Sequence, residues 1–368
     1  MTADCGTDPE GGPGELPDRP AKGRGAIGNP AGRFESCRRS ALDDGWTEWL
    51  PDPLRTTLTP DSARSIITRN DSPDVPFSQS VNPYRGCEHG CIYCFARPSH
   101  HYLGLSSGLD FETRIFHKPR AAQLLERELR RPGYRCQPLA LGSNTDPYQP
   151  AERKLKLTRA ILQVLHDYRH PVGIVTKSAL VERDLDILAP MAARGLVRVY
   201  LSVTTLDEAL ARIMEPRVPP PRRRLETLRQ LSARGIPTGI LFAPLIPALN
   251  DGEMETILAA ARTAGAGAAG YVMLRLPQDL GTLFEGWLNH HLPDKARHVM
   301  GMIRAVRGGQ VNDSAFGRRM RGTGVVAGLM ADRFRLACKR LDYAPDAAGL
   351  DTAQFQPPPR PGEQMKLF

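Results

Sequence analysis

The stretch Asn82-Pro83-Tyr84-Arg85-Gly86-Cys87-Glu88-His89-Gly90-Cys91-Ile92-Tyr93-Cys94-Phe95-Ala96 carries three cysteines in one short loop. Three residues separate the first pair, two separate the second, and an aromatic residue precedes the last thiol. Thiolates this close can wrap one corner of a small metal assembly but cannot close it. A [4Fe–4S] cube ordinarily takes a cysteine on each of its irons. A loop that offers only three leaves one iron open, and an open iron is a place where chemistry can happen.

A zinc site competes with this reading, because the three cysteines with His89, His100 or His101 could complete a tetrahedron. Structural zinc usually pairs one Cys-x2-4-Cys with a distant second pair, and no second pair is present in the chain. A disulfide framework fits less well, since the seven cysteines are an odd number and Cys5, Cys37, Cys136 and Cys338 are scattered. No N-terminal segment resembles a signal peptide, and no apolar run is long enough to span a bilayer. The expected setting is therefore cytoplasmic, without membrane association, where thiolates stay reduced and free for iron.

The 49 Lys and Arg exceed the 40 Asp and Glu, for a net charge of +9 over 368 residues. Such a surplus suits a polyanionic partner, usually nucleic acid. An Arg-, Gly-, Pro- and Ala-rich composition can equally reflect genome bias, so charge alone does not decide the partner. Residues 1–60 are rich in Gly, Pro, Asp and Arg, with Trp46, Trp49 and Leu50 among the few clustered apolar positions. Too little apolar surface is available there to offset chain entropy, and a disordered tail is expected. Residues 345–368 form a second, Pro-rich tail that should run extended.

Between the tails, short apolar runs alternate with amphipathic stretches. Strands are expected at Pro138–Gly142, Val172–Thr176, Val197–Val203, Thr238–Ala243 and Tyr271–Leu276, with a first strand ending near Tyr84. Helical patterns occupy about 120–130, 153–168, 180–193, 222–234 and 253–264. Apolar strands separated by helices indicate a parallel sheet covered by helices, which can roll into a partial or full barrel. Working groups in such barrels gather at the C-terminal strand ends. Those ends here are Gly142-Ser143-Asn144-Thr145-Asp146-Pro147-Tyr148, Thr176-Lys177-Ser178, Ser202-Val203-Thr204-Thr205, the turn from Ala243 to Asp251, and Arg275. Ser143, Asp146, Ser178 and Thr205 are as well suited to capping helices as to binding ligands. Lys177 has no capping role and is the strongest single candidate.

Cys-x3-Cys-x2-Cys with an aromatic before the third cysteine resembles the signature of radical S-adenosylmethionine (SAM) enzymes. The resemblance covers about residues 78–280 and implies an α/β fold, a partial (β/α)6 radical SAM barrel, here with a C-terminal helical extension and disordered tails. It implies that Cys87, Cys91 and Cys94 hold a [4Fe–4S] cluster whose fourth iron chelates SAM. One electron then splits SAM and releases a 5′-deoxyadenosyl radical, and an electron donor such as flavodoxin or ferredoxin is implied as partner. The turns Asn82-Pro83-Tyr84-Arg85-Gly86, Asn144-Thr145-Asp146-Pro147-Tyr148, Thr176-Lys177-Ser178 and Met214-Glu215-Pro216-Arg217 together look like the spore photoproduct lyase-related, DNA repair photolyase-like branch. By that likeness Thr145, Asp146, Lys177 and Ser202 contact SAM, with Tyr93, Phe95 and Ala96 near its adenine, the last two through backbone groups. The lyase carries a hydrogen-donating cysteine where this chain has Asn144, so the likeness does not extend to that reaction. Cys136 lies nearby in sequence, but it is expected at the far end of the barrel as a buried structural residue. Ala248 replaces a common Gly in the turn after the fifth strand.

The implied domains are a tail at 1–60, the barrel at 61–280, a basic helical extension at 281–344 and the Pro-rich tail at 345–368. In the extension, the Gly-flanked cluster Arg318-Arg319-Met320-Arg321 and the last helix, with Arg333, Arg335, Lys339 and Arg340, could hold phosphates or form a solvated face. Arg217 and Arg222-Arg223-Arg224 make a second basic run. Gln364-Met365-Lys366-Leu367-Phe368 resembles the short peptide by which bacterial replication and repair proteins bind the DNA polymerase sliding clamp. There Gln364 would supply a directed hydrogen bond, and Leu367 and Phe368 would act as apolar anchors. The expectation is a radical SAM enzyme acting on nucleic acid, in a repair-like reaction on DNA. The alternatives are radical modification of RNA or peptide, and a non-catalytic zinc-bearing nucleic-acid adaptor. The extension has only Cys338, which argues against an auxiliary cluster.

Overall fold

The apolar runs become short strands whose neighbours are fixed by register. The computed structural model describes residues 20–34, 54–344 and 349–359. Trp46, Trp49, Leu50, Cys5, Cys37 and the tail residues Gln364, Leu367 and Phe368 lie outside them. The strands are β1 (Thr57–Pro60), β2 (Ile67–Arg69), β3 (Gln79–Val81), β4 (Tyr84–Arg85), β5 (Arg114–His117), β6 (Leu139–Leu141), β7 (Val172–Thr176), β8 (Val197–Ser202), β9 (Thr238–Leu245) and β10 (Ala268–Met273).

The main sheet runs β10-β9-β8-β7-β6-β3-β2. From β3 through β10 every pairing in it is parallel, and β2 joins β3 antiparallel at one edge. The six parallel strands, β3 and β6 to β10, appear in sequence order, as the partial barrel requires. Among the described residues the sheet stays open between β10 and β2. Pairing of Leu141 with Ile174, Thr176 with Leu201 and Ser202 with Leu241 brings the C-terminal ends of β6, β7 and β8 to one rim. Gly142 leads the polar turn after β6 at φ +92, and a Cβ there would come 2.2 Å from the Val175 carbonyl oxygen. Only glycine allows that turn to pass so close to β7.

The helices lie where periodicity expects them, with local changes. The pattern at 153–168 splits into Glu152–Leu155 and Leu157–Asp167, because Lys156 takes a left-handed conformation at φ 52. The longer piece buries Leu157, Ile161, Leu162, Val164 and Leu165. The pattern at 180–193 begins as a 3-10 turn, Ala179–Asp184, whose N-terminal Leu180 amide is capped by the Ser178 hydroxyl, and continues as Leu185–Ala193.

A smaller sheet, β1-β5-β4, was not foreseen; its strands are short and mixed in polarity. It lies where the chain enters the cysteine loop. The stretch expected to be a disordered tail also departs from expectation. Arg24 and Ala26 are buried, and β1 belongs to the ordered fold. Cys136 precedes β6, at the end opposite the rim, but it is half-buried rather than buried.

Beyond the barrel, helices Leu280–His291 and Pro293–Ala305 pack into the apolar cluster that also contains Cys91, Ile92, Tyr93 and Met214. Trp287 is fully buried there, stacked on Phe284 at 5.6 Å, and its indole N–H donates to the Ile213 carbonyl at 3.2 Å. The last helix, Gly324–Arg340, adds Ala327, Met330 and Ala337 to the main core. Residues 351–356 run across the opposite end of the sheet, where Asp351 and Gln356 amides bond the Gly195 and Tyr168 carbonyls.

Candidate functional site

The cysteine loop is held by fasteners from distant parts of the chain. Gln149 brackets Cys87: its amide nitrogen donates to the Gly86 carbonyl at 3.1 Å and its oxygen accepts from the Glu88 amide at 3.0 Å. The Cys87 amide donates to the Phe111 carbonyl at 3.0 Å. Next, the segment Met214-Glu215-Pro216-Arg217 docks along the loop. The Ile92 amide bonds the Met214 carbonyl at 3.1 Å and the Arg217 amide bonds the His89 carbonyl at 3.3 Å. Arg217 pairs with Glu88 at 3.0 Å, and Glu215 accepts the Tyr93 hydroxyl proton.

The third fastener is a buried ion pair. Arg97, wholly buried, pairs with Glu112 and donates to the carbonyls of Gly90 at 3.1 Å, Cys91 at 2.9 Å, Ser107 at 3.0 Å and Gly108 at 2.9 Å. Every guanidinium face is thereby satisfied, as a buried charge demands. Glu112 also accepts the amides of Gly25 at 2.9 Å and Ala26 at 2.8 Å. A Cβ on Gly25 would sit 1.8 Å from the Gly90 carbonyl oxygen, so the N-terminal segment lies directly on the cysteine loop.

Cys87 and Cys91 are buried, Cys94 is half-buried, and all three are free thiols. Burial pushes all three thiols above the ordinary thiol range. Such thiols ionise only beside a strong positive charge, which iron supplies. This chemistry fits a metal cluster. The three histidines of the zinc alternative have other neighbours: His89 faces Asp146 at 3.4 Å, His100 the Arg114 carbonyl at 3.0 Å and His101 Asp279 at 3.3 Å. No group of three or more His, Cys, Asp or Glu among the described residues converges on a single-ion site.

The residues expected to hold SAM do meet on the rim. Lys177, just past β7, donates to the Ser202 hydroxyl at 2.7 Å, and its ammonium lies 5.7 Å from the Tyr93 ring centroid. Ser202 in turn donates to the Ala243 carbonyl at 2.9 Å, joining β8 to β9. Asp146 is a hub. One carboxylate oxygen accepts from Thr176 Oγ1 at 2.7 Å and the Tyr148 amide at 2.8 Å, and the other accepts from the Lys177 amide at 2.8 Å. Burial pushes its carboxyl up, but His89 and the donated hydrogen bonds prevail and hold it below the usual range. The Thr145 hydroxyl donates to the Tyr84 carbonyl at 3.1 Å. Thr145 and Asp146 thus bond protein groups around the loop and Lys177. Ala96 is buried, whereas the Phe95 ring is 45 % exposed under the Arg275 guanidinium, 5.2 Å from its centroid.

Several basic residues singled out in the sequence are committed elsewhere. Arg222, Arg223 and Arg224 pair with Glu208, Glu182 and Glu215. Arg333 pairs with Glu255, and Arg335 with Asp332. The residues not foreseen are Arg97, Glu112, Gln149 and the Gly25-Ala26 segment, and Arg224 was read only as part of a basic run, without its Glu215 partner. Only Met214-Glu215-Pro216-Arg217 was visible as a signal, and without a role.

The comparisons agree with this geometry. The family model described as the Radical SAM superfamily matches residues 81–261. An uncharacterized protein of Mycobacterium tuberculosis is 40% identical over 232 residues, covering 62% of this chain and 68% of that protein. One from Methanocaldococcus jannaschii is 29% identical over 173 residues, covering 47% and 62%. Among solved structures, spore photoproduct lyase complexed with dinucleoside spore photoproduct superposes with a TM-score of 0.55 at 14% identity, covering 78% of this chain and 80% of that one. A mutant of that lyase with bound AdoMet and dinucleoside spore photoproduct gives 0.54 at 13% identity, covering 78% and 79%. At such identity the lyase structures share the fold. With the three-thiol loop, the parallel sheet and the matched model in agreement, the chain belongs to the radical SAM superfamily of enzymes.

Proposed function

We propose that Cys87, Cys91 and Cys94 each bind one iron of a [4Fe–4S] cluster, that SAM occupies the rim beside them, and that the substrate is nucleic acid, in a DNA repair-like reaction. The observation that carries the reading is the cysteine loop itself. It holds three free, largely buried thiols, fastened from the Gln149, Met214–Arg217 and Arg97–Glu112 sides, next to the Lys177–Ser202 pair. When bound, such a cluster would supply the single electron that cleaves SAM to methionine and a 5′-deoxyadenosyl radical.

The protein's own part is to bind, orient and exclude water. The Lys177 ammonium suits the SAM carboxylate, and Ser202 and the Tyr93 ring steer it from two sides. Thr145 and Asp146 would contact SAM as the likeness implies, and they also order the rim: Asp146 accepts the Lys177 amide and Thr145 donates to the Tyr84 carbonyl. Backbone groups of Phe95 and Ala96 are available to the adenine. Nucleic acid as substrate is supported by the fold shared with a lyase whose structures hold a dinucleoside photoproduct. The C-terminal Gln364, Leu367 and Phe368, read as a peptide for a DNA polymerase sliding clamp, support DNA in particular. Asn144 stands where the lyase has its donating cysteine and Cys136 is distant and half-buried, so among the described residues no thiol takes that position. A small flavoprotein or ferredoxin would supply the electron, in the cytoplasm. No helix among the described residues is long and apolar enough to cross a membrane.

The test is anaerobic reconstitution with iron and sulfide, then reduction with SAM in the presence of damaged or undamaged DNA. Absorption near 400 nm and 5′-deoxyadenosine that rises with one of the DNAs are expected. A colourless protein that binds zinc tightly and refuses iron would overturn the reading.

A further inference from the structure

We propose that Arg275 binds a backbone phosphate of the nucleic-acid substrate, with the exposed ring of Phe95 beside it as a stacking face for a base. This inference rests on the nucleic-acid reading above and names the side chains that would recognise the substrate.

Arg275 lies two residues past the end of β10, on the rim, with its guanidinium over the ring of the residue that follows Cys94. Its Nε is buried without a hydrogen-bond partner, and one terminal nitrogen has only the Met320 sulfur, a weak acceptor, at 3.7 Å. Among the described residues no carboxylate lies within ion-pair distance of it. The neighbouring charges do not balance either. Four guanidinium groups gather here (Arg275, Arg307, Arg318 and Arg319) against two carboxylates, Asp74 on Arg319 and Asp313 on Arg318, leaving two positive charges in excess. Burial and the charge of Arg319 push the Arg275 guanidinium down, and an anion would relieve both.

The surrounding segment is built rather than incidental. Arg307, fully buried, donates to the Met273, Arg318 and Arg319 carbonyls at 3.2, 3.2 and 2.9 Å, and also to that of Leu274. The Met273 amide bonds the Met320 carbonyl at 2.9 Å. These contacts rivet residues 318–320 to the end of β10 and hold Arg319 near Arg275. The choice of phosphate over a peptide carboxylate comes from the aromatics. Phe95 under Arg275 and Phe316 under Arg319, 61 % exposed, alternate ring and cation, which is how single strands are held by stacking and charge together.

The test is binding of a fluorescein-labelled single-stranded oligothymidine octamer to the reconstituted full-length chain by anisotropy, across a salt series. Losing one phosphate contact lowers the slope of log affinity against log salt by about 0.7 on single strands. Arg275→Gln should show that change with roughly tenfold weaker binding, the scale of one charge-assisted contact. Arg275→Lys should restore the slope, and thermal melting of both variants should match the parent, which separates a binding loss from misfolding. An Arg275→Gln slope equal to the parent's overturns the inference while leaving the nucleic-acid reading in place. An octamer that the parent does not bind, although it cleaves SAM, overturns both.

Discussion

Tyr93, one residue before the third thiol, donates its hydroxyl proton to the carboxylate of Glu215, 122 residues further along the chain. The same carboxylate accepts from Thr204 at 2.8 Å and pairs with Arg224, whose other nitrogens bond the Ser202 carbonyl at 3.1 Å and the Pro219 carbonyl at 2.8 Å. One buried acid thereby ties the cysteine loop to the end of β8. Burial pushes Glu215 up, but Arg224, Lys177 and the Tyr93 hydroxyl hold it below the usual carboxylate range.

Replacing Glu215 by Ala would leave the buried Arg224 charge with carbonyl partners but no counter-charge, at a cost of about 3–5 kcal/mol. The variant should melt several degrees below the parent and retain less iron after desalting. Equal melting temperature and iron content would show that Arg224 finds another partner.

Cys91→Ala removes a buried thiol proposed above as an iron ligand, where burial leaves no room for a solvent substitute. Iron and sulfide content should fall sharply, and 5′-deoxyadenosine should become undetectable by chromatography. Turnover persisting at the parental rate would contradict the assignment of this thiol.

The N-terminal segment has its own test. In Gly25→Ala the new methyl would overlap the Gly90 carbonyl, a backbone group that cannot step aside without moving the loop. Arg24, buried against Glu112 in the parent, should become open to trypsin, and cleavage after it should accelerate. A digestion pattern identical to the parent's would mean that the segment shifts without detaching.

Acid should weaken the fold through His100 and His170, both held neutral by burial, with folded values pushed down to about 4. A group whose folded value lies below the unfolded one near 6.5 binds fewer protons folded than unfolded in between. Their contribution is therefore complete above about 6.5 and falls away as pH drops toward 4. Each is worth on the order of 3 kcal/mol at most. The unfolding midpoint in urea should decline across that window, and His170→Gln should flatten the decline.

Deletion of residues 364–368 should abolish binding to a purified sliding clamp and leave SAM cleavage at the parental rate. Surface plasmon resonance showing equal clamp affinity for both forms would end that reading of the tail.

What could be read from the sequence was local in character. The spacing of Cys87, Cys91 and Cys94 is a matter of loop length, and apolar runs such as Val172–Thr176 declare a buried strand through their own composition. Lys177 and Ser202 were legible for the same reason, since each stands at the end of such a run. The departures began where an element depended on something far away. The pairs Tyr93 with Glu215 and Arg97 with Glu112, and the seating of Gly25 on Gly90, join residues whose own neighbourhoods look like ordinary charge, turn or tail. The basic run at Arg222–Arg224 was misleading, because its carboxylate partners, Glu208, Glu182 and Glu215, belong to other elements. Composition and periodicity act over a few residues, and so determined the loop and the strands β6 to β10 of the main sheet. Long-range burial of charge has no signature at that range, and only the folded chain decides which arginines are neutralised and which, like Arg275, are left facing the rim.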